Sequence, residues 1–142
     1  MARANIRDRN ILFLCQHNGC LSFMAEAIAR RLLPPKTLVF SAAVKERRID
    51  PRTVQVLHES GINVSSQEAK ARDGIGDIDL IIMLGEPGEA QPTAFPHAKF
   101  TTWKIPDPCQ DSQANLETFR HTRDEINSMI AGLFLDYWRN IA

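Results

Sequence analysis

Apolar residues are grouped along this chain in the way that alternating strands and helices require. Residues 11–14 are continuously apolar, and residues 78–84 are apolar at all but one position. Runs without polar alternation predict strands that are buried on both faces, as in a parallel sheet. The residues at 37–42 and 99–103 predict a second strand and an edge-like fourth strand.

Helical spacing of apolar residues lies between these strands. Ser22 is a residue type that favours an N-cap, and it precedes a run of good helix formers. Asp50 and Pro51 predict the start of a second helix, which Gly61 ends. This alternation predicts an α/β fold, a three-layer αβα sandwich with a four-stranded parallel sheet. Helices are predicted over 23–30, 52–60 and 112–140, with a short, weak helix over 67–72.

The loops that follow the strands are the expected position of a ligand site. In an open parallel sheet, ligands bind beyond the carboxyl ends of the strands. We therefore expect four loops to meet around one site: 15–22, 44–48, 85–96 and 106–109.

The first of these loops carries the chemistry that stands out in the sequence. A strand, a short polar loop and a helix start direct backbone N–H groups and the positive end of a helix dipole at one small volume. That volume suits an oxyanion, and a cysteine at its rim gains thiolate character from the same field. Asn18 and Gly19 suit a tight anion-binding turn. The predicted site residues of the loop are Cys15, Gln16, His17, Asn18, Gly19, Cys20, Leu21 and Ser22.

Composition narrows the class of protein. The 142 residues fit one domain, and Lys plus Arg equals Asp plus Glu at 17 each. Net charge therefore gives no reason to expect nucleic acid or a membrane as partner. An odd count of 3 cysteines argues against a secreted disulfide scaffold, and the polar residues 1–9 do not resemble a signal peptide. We expect a soluble, cytoplasmic protein.

Several motifs in order resemble the low-molecular-weight protein tyrosine phosphatases and the arsenate reductases that share their fold. The family loop is Cys, two residues, Asn, one residue, Cys, Arg, Ser, followed by Met-Ala-Glu-Ala. Here Cys15, Asn18, Cys20, Ser22 and residues 24–27 match it. Further matches lie at residues 41–43, 57–65, 103–108 and 119–126. The resemblance implies one phosphatase-like domain over residues 1–142, with a flavodoxin-like fold of the phosphotyrosine phosphatase I type.

The resemblance also implies roles for two residues. Cys15 matches the family's nucleophile, and Asp107, within Trp-Lys-Ile-Pro-Asp-Pro, matches its general acid. Such a displacement needs no metal and no organic cofactor. The implied partners are phosphate, arsenate or a similar oxyanion, or a phosphoprotein.

The chain departs from the family at the loop arginine, which is Leu21 here. That arginine normally forks onto the bound oxyanion, so we expect impaired activity. His17, Lys45, Arg47 and Arg48 are candidates for compensating positive charge.

The relay cysteines of arsenate reductases are also missing, because Leu84 and Gln91 stand where they are expected. Two alternatives to an enzyme stay open. One is a non-catalytic module that binds an anion or a protein. The other is a thiol redox sensor built on Cys15 with Cys20 or Cys109, in which Cys20 otherwise packs beneath the loop and Cys109 is a half-buried loop residue.

Overall fold

Four parallel strands form the sheet at the centre of the fold. In the computed structural model their order across the sheet is β2-β1-β3-β4, and every neighbouring pair is parallel. This confirms the predicted parallel sheet. The strands are β1 Asn10–His17, β2 Leu38–Lys45, β3 Leu80–Leu84 and β4 Lys99–Trp103. The structure describes residues 10–17, 20–45, 48–64, 77–86 and 95–141.

The described residues form three α-helices and one short 3₁₀ helix, which lie between and after the strands. Asn115 sets the start of the last helix, because its side chain accepts a hydrogen bond of 3.0 Å from the backbone N–H of Thr118. The predicted start at 112 was therefore too early. The expected helix at 67–72 lies outside the described residues. The helices are α1 Leu21–Leu32, α2 Pro51–Glu59, α3 Leu116–Ile141 and the 3₁₀ helix Pro108–Gln110.

Burial on both faces of β1 explains its continuous apolar sequence. Ile11 and Phe13 belong to a core that they share with all three α-helices. Leu12 faces the opposite side, in a second cluster with Ile78 and Ile81 of the third strand region. A strand covered on both faces is what a three-layer αβα sandwich requires. Among the described residues, no helix is both long enough and apolar enough to cross a membrane.

The register of β1 fixes where its cysteine lies. Cys15 is near the end of the strand, paired with Ala43 on β2 and with Leu84 on β3. The strand is therefore longer than the predicted segment 11–14, because pairing with two neighbours continues beyond the apolar run. Cys15 consequently sits within the sheet, at its carboxyl edge, where the following loop begins.

The start of α2 is held by a compact set of polar contacts. The Asp50 side chain accepts hydrogen bonds from the backbone N–H of Arg52 at 2.9 Å and from its guanidinium at 2.9 and 3.1 Å. Arg52 also donates to the carbonyl of Ala114 at 3.0 Å, and its guanidinium lies 4.3 Å from the centre of the Phe119 ring. These contacts join α2 to the segment that precedes α3.

Two substitutions of Asp50 should separate the contribution of its N-cap hydrogen bond to stability from that of its ion pair with Arg52. Asp50→Ala removes both, and we expect it to lower the free energy of unfolding by about 1 to 2 kcal/mol. Asp50→Asn keeps a good N-cap acceptor and loses only the ion pair, so it should cost less than about 1 kcal/mol. Urea unfolding of the three proteins measures both effects.

The cost of Asp50→Asn should depend on pH. The guanidinium of Arg52 lowers the pKa of Asp50 below its ordinary value of 3.8. The ionised carboxylate therefore stabilises the fold above that value, and the contribution is lost as the pH falls through the lowered pKa. An Asp50→Asn penalty that stays constant from neutral pH down to about pH 3 would contradict this account.

Candidate active site

A pocket of about 520 Å³ lies at the carboxyl edge of the sheet. Its lining comes from the ends of β1, β3 and β4 and from the first turn of α1, which confirms three of the four loops expected there. The loop after β2 contributes none of the described lining residues. The pocket is lined by Cys15, Gln16, Leu21, Leu84, Gly85, Glu86, Lys104, Ile105, Pro106, Asp107 and Gln110.

A buried hydrogen bond joins the end of β1 to the first turn of α1. The Cys15 thiol donates to the Ser22 hydroxyl, with 2.9 Å between Sγ and Oγ. Cys15 is 1% exposed and Ser22 is fully buried. When the sulfur is a thiolate, the hydroxyl can turn and donate to it, and the positive end of the α1 dipole lies on the same side. This arrangement favours the thiolate.

The same hydrogen bond explains why Ser22 is not the N-cap. Helix α1 begins at Leu21, and Cys20 occupies the N-cap without a hydrogen bond from its side chain to the helix. Ser22 therefore lies inside the first turn, where its hydroxyl meets Cys15. The sequence predicted an N-cap from residue type alone, and the structure shows that the hydroxyl has another partner.

Leu21 fills part of the pocket floor. It is only 1% exposed, and it is one of the residues that line the pocket. A Cβ atom at Gly85 would lie 3.3 Å from Leu21 Cδ1 and 3.4 Å from the Ile105 carbonyl oxygen. Gly85 also has a φ of +81°, which favours glycine. Leu21 thus packs closely against the segment that follows β3, and with Leu84 it makes the floor apolar.

Gln16 brings an unusual polar atom to this apolar floor. Its side-chain oxygen Oε1 is buried and has no hydrogen-bond partner in the described structure. Because Gln16 lines the pocket, a donor on a bound molecule can satisfy this acceptor. A protonated oxygen of a monoanionic oxyanion is one such donor.

Two charged residues at the rim did not stand out in the sequence. Lys104 and Glu86 are both exposed and both line the pocket. Lys104 could have been predicted to lie near the site because it directly precedes the segment Ile105-Pro106-Asp107 in the sequence. Of the cations that the sequence suggested, Arg48 is exposed and does not line the pocket. Arg47 and the side chains of His17 and Lys45 lie outside the described part of the chain, as do Asn18 and Gly19.

Asp107 also lines the pocket. Its carboxylate accepts a hydrogen bond of 2.9 Å from the backbone N–H of Cys109, which fixes the start of the 3₁₀ helix. Pro106 and Pro108 flank it and restrict the backbone. The segment therefore holds the carboxylate in one orientation at the pocket, although the sequence predicted only an irregular loop at this point.

The hydrogen bonds of the cysteines differ from the pairing of Cys15 with Cys20 or Cys109 that the sequence left open. Cys15 bonds to Ser22, whereas the Cys20 thiol donates a hydrogen bond to Cys109 beneath the loop. That hydrogen bond, together with burial, raises the pKa of Cys20 well above its ordinary value, and the same bond lowers the pKa of Cys109. Cys20 is fully buried, as expected of a residue packed beneath the loop. All three cysteines are free thiols.

The sulfur atoms of Cys20 and Cys109 and a carboxylate oxygen of Asp107 lie within 4.8 Å of one another. Three such atoms are few for a metal ion, since closed sites in proteins usually offer four. The guanidinium of Arg52 also acts on both thiols through its charge, and a fixed positive charge opposes a second cation. The group therefore fits a thiol pair better than an ion.

Comparison with known proteins confirms the resemblance and the fold. The sequence profile of the family described as low molecular weight phosphotyrosine protein phosphatase matches residues 10–141. An arsenate reductase of Bacillus subtilis strain 168 is 30% identical over 131 residues, 88% of this chain and 94% of that protein. An arsenate reductase of Bacillus licheniformis is 33% identical over 128 residues, 86% and 92% of the two chains. A solved arsenate reductase in its phosphate-binding state superposes with a TM-score of 0.77 at 27% identity, over 91% and 98% of the chains.

Removing the Ser22 hydroxyl should reduce the reactivity of Cys15. A hydrogen bond to a charged group contributes about 1.5 to 3 kcal/mol. Ser22→Ala should therefore slow alkylation of Cys15 at neutral pH by roughly tenfold or more. The rate is measured with iodoacetamide, and mass spectrometry assigns the modified cysteine. Ser41→Ala is the matched control, because the Ser41 hydroxyl bonds Glu26 at 3.0 Å. Equal rates in the two variants would remove the assigned role of Ser22.

Proposed function

Because the chain belongs to the low molecular weight phosphotyrosine protein phosphatase family, we propose that it acts on a phosphate- or arsenate-type oxyanion through Cys15, with turnover reduced by Leu21. The observation that carries this proposal is that Cys15 and Asp107 line one pocket. A nucleophile and a proton donor that line one cavity are what a displacement at phosphorus requires.

The proposed reaction has two steps. The Cys15 thiolate attacks phosphorus, the bond to the leaving oxygen breaks, and Asp107 donates its proton to that oxygen. Water then attacks the phosphocysteine, Asp107 takes the proton of the water, and phosphate leaves with the thiolate restored. The Ser22 hydroxyl and the α1 dipole support the first step by stabilising the thiolate. No metal or organic cofactor takes part in these steps.

Leu21 lowers the rate of this chemistry. The loop arginine of the family would pair with two oxyanion oxygens at once, and an alkyl side chain cannot. Loss of one positioned oxyanion donor typically costs about 2.7 to 4 kcal/mol of transition-state stabilisation. Lys104 at the rim supplies some positive charge, but as an exposed point charge on a flexible stem it replaces only part of that loss.

The rest of the pocket favours a monoanion over a dianion. The apolar floor made by Leu21 and Leu84 disfavours a second negative charge, because burial raises the cost of each unpaired charge. The buried Oε1 of Gln16 can accept a hydrogen bond from a protonated oxygen of the ligand. We therefore expect binding and turnover to be best at mildly acidic pH.

The site supports hydrolysis better than reduction of arsenate. Reduction by the family route requires a second thiol to attack the arsenylated nucleophile, and Leu84 stands beside Cys15 where that relay begins. Cys109 pairs with Cys20 and does not line the pocket with Cys15. A phosphoprotein or a smaller phosphate ester is the proposed substrate class, in a reducing cytoplasm.

A non-catalytic oxyanion-binding module is the second candidate, and Leu21 is the observation that favours it. The pocket, the Cys15 thiol and the start of α1 can together bind an anion without catalysing its conversion. Kinetics of the purified protein separate the two functions.

Restoring the arginine should increase turnover. We expect Leu21→Arg to raise kcat/KM for an aryl phosphate at mildly acidic pH by about 100-fold, because one charged donor is regained. The readout is release of the phenol. Leu21→Met is the matched control, since it keeps a flexible apolar side chain of similar size and should give no increase.

The double variant Cys15→Ser, Leu21→Arg should lose the gain. Urea unfolding shows whether the buried arginine is tolerated. A folded Leu21→Arg protein with no gain would favour the binding module.

Replacing Asp107 should affect poor leaving groups most. Asp107→Asn keeps an acceptor for the Cys109 N–H but cannot donate a proton as an acid does, so kcat/KM, which reports the step that releases the leaving group, should fall by about 10²- to 10⁴-fold for an alkyl phosphate. The loss should be much smaller for p-nitrophenyl phosphate, whose leaving group needs little protonation. Equal losses for both substrates would show that Asp107 only supports the loop.

A further inference from the structure

Two thiols beneath the pocket are not used by the proposed displacement. Cys20 precedes α1 at the end of the anion loop, and Cys109 lies in the 3₁₀ helix two residues after Asp107. Their sulfur atoms lie within 4.8 Å of each other, although 88 residues separate them in sequence. We propose that Cys20 and Cys109 form a peroxide-oxidisable dithiol whose disulfide joins the anion loop to the segment that carries Asp107.

The two sulfur atoms have complementary surroundings. Cys20 is fully buried, whereas Cys109 is only partly buried. The Cys20 thiol donates to the Cys109 sulfur, which lowers the pKa of Cys109, and the charge of Arg52 acts in the same direction. The carboxylates of Asp107 and Asp50 oppose this shift. The sulfur of the partly exposed residue, Cys109, therefore has the greater thiolate character, and the Cys20 sulfur lies within 4.8 Å of it.

Arg52 is held where its charge can act on the thiol pair. It is fixed by the Asp50 carboxylate, by the Ala114 carbonyl and by the face of the Phe119 ring. The Thr53 hydroxyl, on the next residue of α2, hydrogen-bonds to Cys20. The start of α2 thus contacts the Cys20 sulfur through Thr53 and acts on Cys109 through the charge of Arg52.

The oxidation balances with a hydroperoxide as the oxidant. The Cys109 thiolate attacks one peroxide oxygen, an S–O bond forms and the O–O bond breaks, and the departing oxygen leaves as water or an alcohol after taking a proton. Cys109 is then a sulfenic acid, and the peroxide is reduced. The Cys20 sulfur attacks the Cys109 sulfur, the S–S bond forms, and the hydroxide of the sulfenic acid leaves as water with the Cys20 proton.

Disulfide formation has a direct consequence for Asp107. A disulfide brings its sulfur atoms to about 2.05 Å, which is closer than the two non-bonded thiols lie here. The Cys109 N–H donates the 2.9 Å hydrogen bond to the Asp107 carboxylate. We therefore expect a disulfide at Cys109 to act on the orientation of Asp107 through this hydrogen bond, while the Cys15 thiol stays chemically intact.

Peptide mapping of the full-length protein tests the proposal. Trypsin leaves Cys15 and Cys20 on one peptide, residues 10–30, and Cys109 on another, residues 105–120. The reduced protein is treated with one equivalent of hydrogen peroxide in the presence of EDTA, its remaining thiols are alkylated, and the digest is analysed without reductant. We expect most molecules to contain the two peptides joined, and a dithiol reductant should separate them.

Three variants identify the sulfur atoms involved. Cys15→Ser should form the joined peptide as fully as the unmodified chain, because Cys20 and Cys109 remain. Cys109→Ser, a conservative change at a half-buried position, should form none. Three results would overturn the proposal: an internal Cys15–Cys20 disulfide with Cys109 alkylated, a joined peptide of undiminished yield in Cys20→Ser, or Cys109 oxidised to sulfinic acid without a link. The Cys15→Ser result also stands independently of the proposed phosphatase activity, since that variant has no nucleophile.

Discussion

The hydrogen bond between Cys15 and Ser22 is the contact on which the arrangement of the site depends. It closes a loop between the last residues of a central strand and the first turn of the helix that follows, and both side chains are buried. Parallel pairing on both sides of β1 fixes one end of this contact, and packing of α1 against the sheet fixes the other. The thiol is thus held at the positive end of a helix dipole by the architecture of the sheet itself.

Around this fixed thiol, the floor of the pocket is apolar. Leu21 and Leu84 form the floor, and the charged groups of the described pocket, Lys104 and Glu86, are at the rim. Electrostatic attraction for an oxyanion then comes from backbone and helix dipoles more than from side chains. Dipoles fixed in the backbone cost no reorganisation when a ligand arrives, but they supply less attraction than a guanidinium that binds two oxygens together.

The sequence allowed most of the fold to be predicted, because uninterrupted apolar runs have few alternatives in a chain of this size. Strand β4 was predicted with its observed bounds, and Asp50-Pro51 gave the start of α2. The N-cap role of Ser22 was wrong because it was assigned from residue type, whereas a tertiary contact decides its role: Cys15 engages the Ser22 hydroxyl. The contact between the Cys20 and Cys109 thiols likewise depends on the tertiary fold. Lys104 enters the pocket only through the turn after β4, which no local pattern indicates.

The close packing of Leu21 over Gly85 means that these two positions constrain each other during evolution. The backbone of Gly85 is in the left-handed region, and the space above its Cα is already occupied by a leucine methyl group. A longer, charged side chain at position 21 must point away from Gly85, or the turn after β3 must change its shape. We therefore expect the effects of substitutions at positions 21 and 85 on stability to be non-additive.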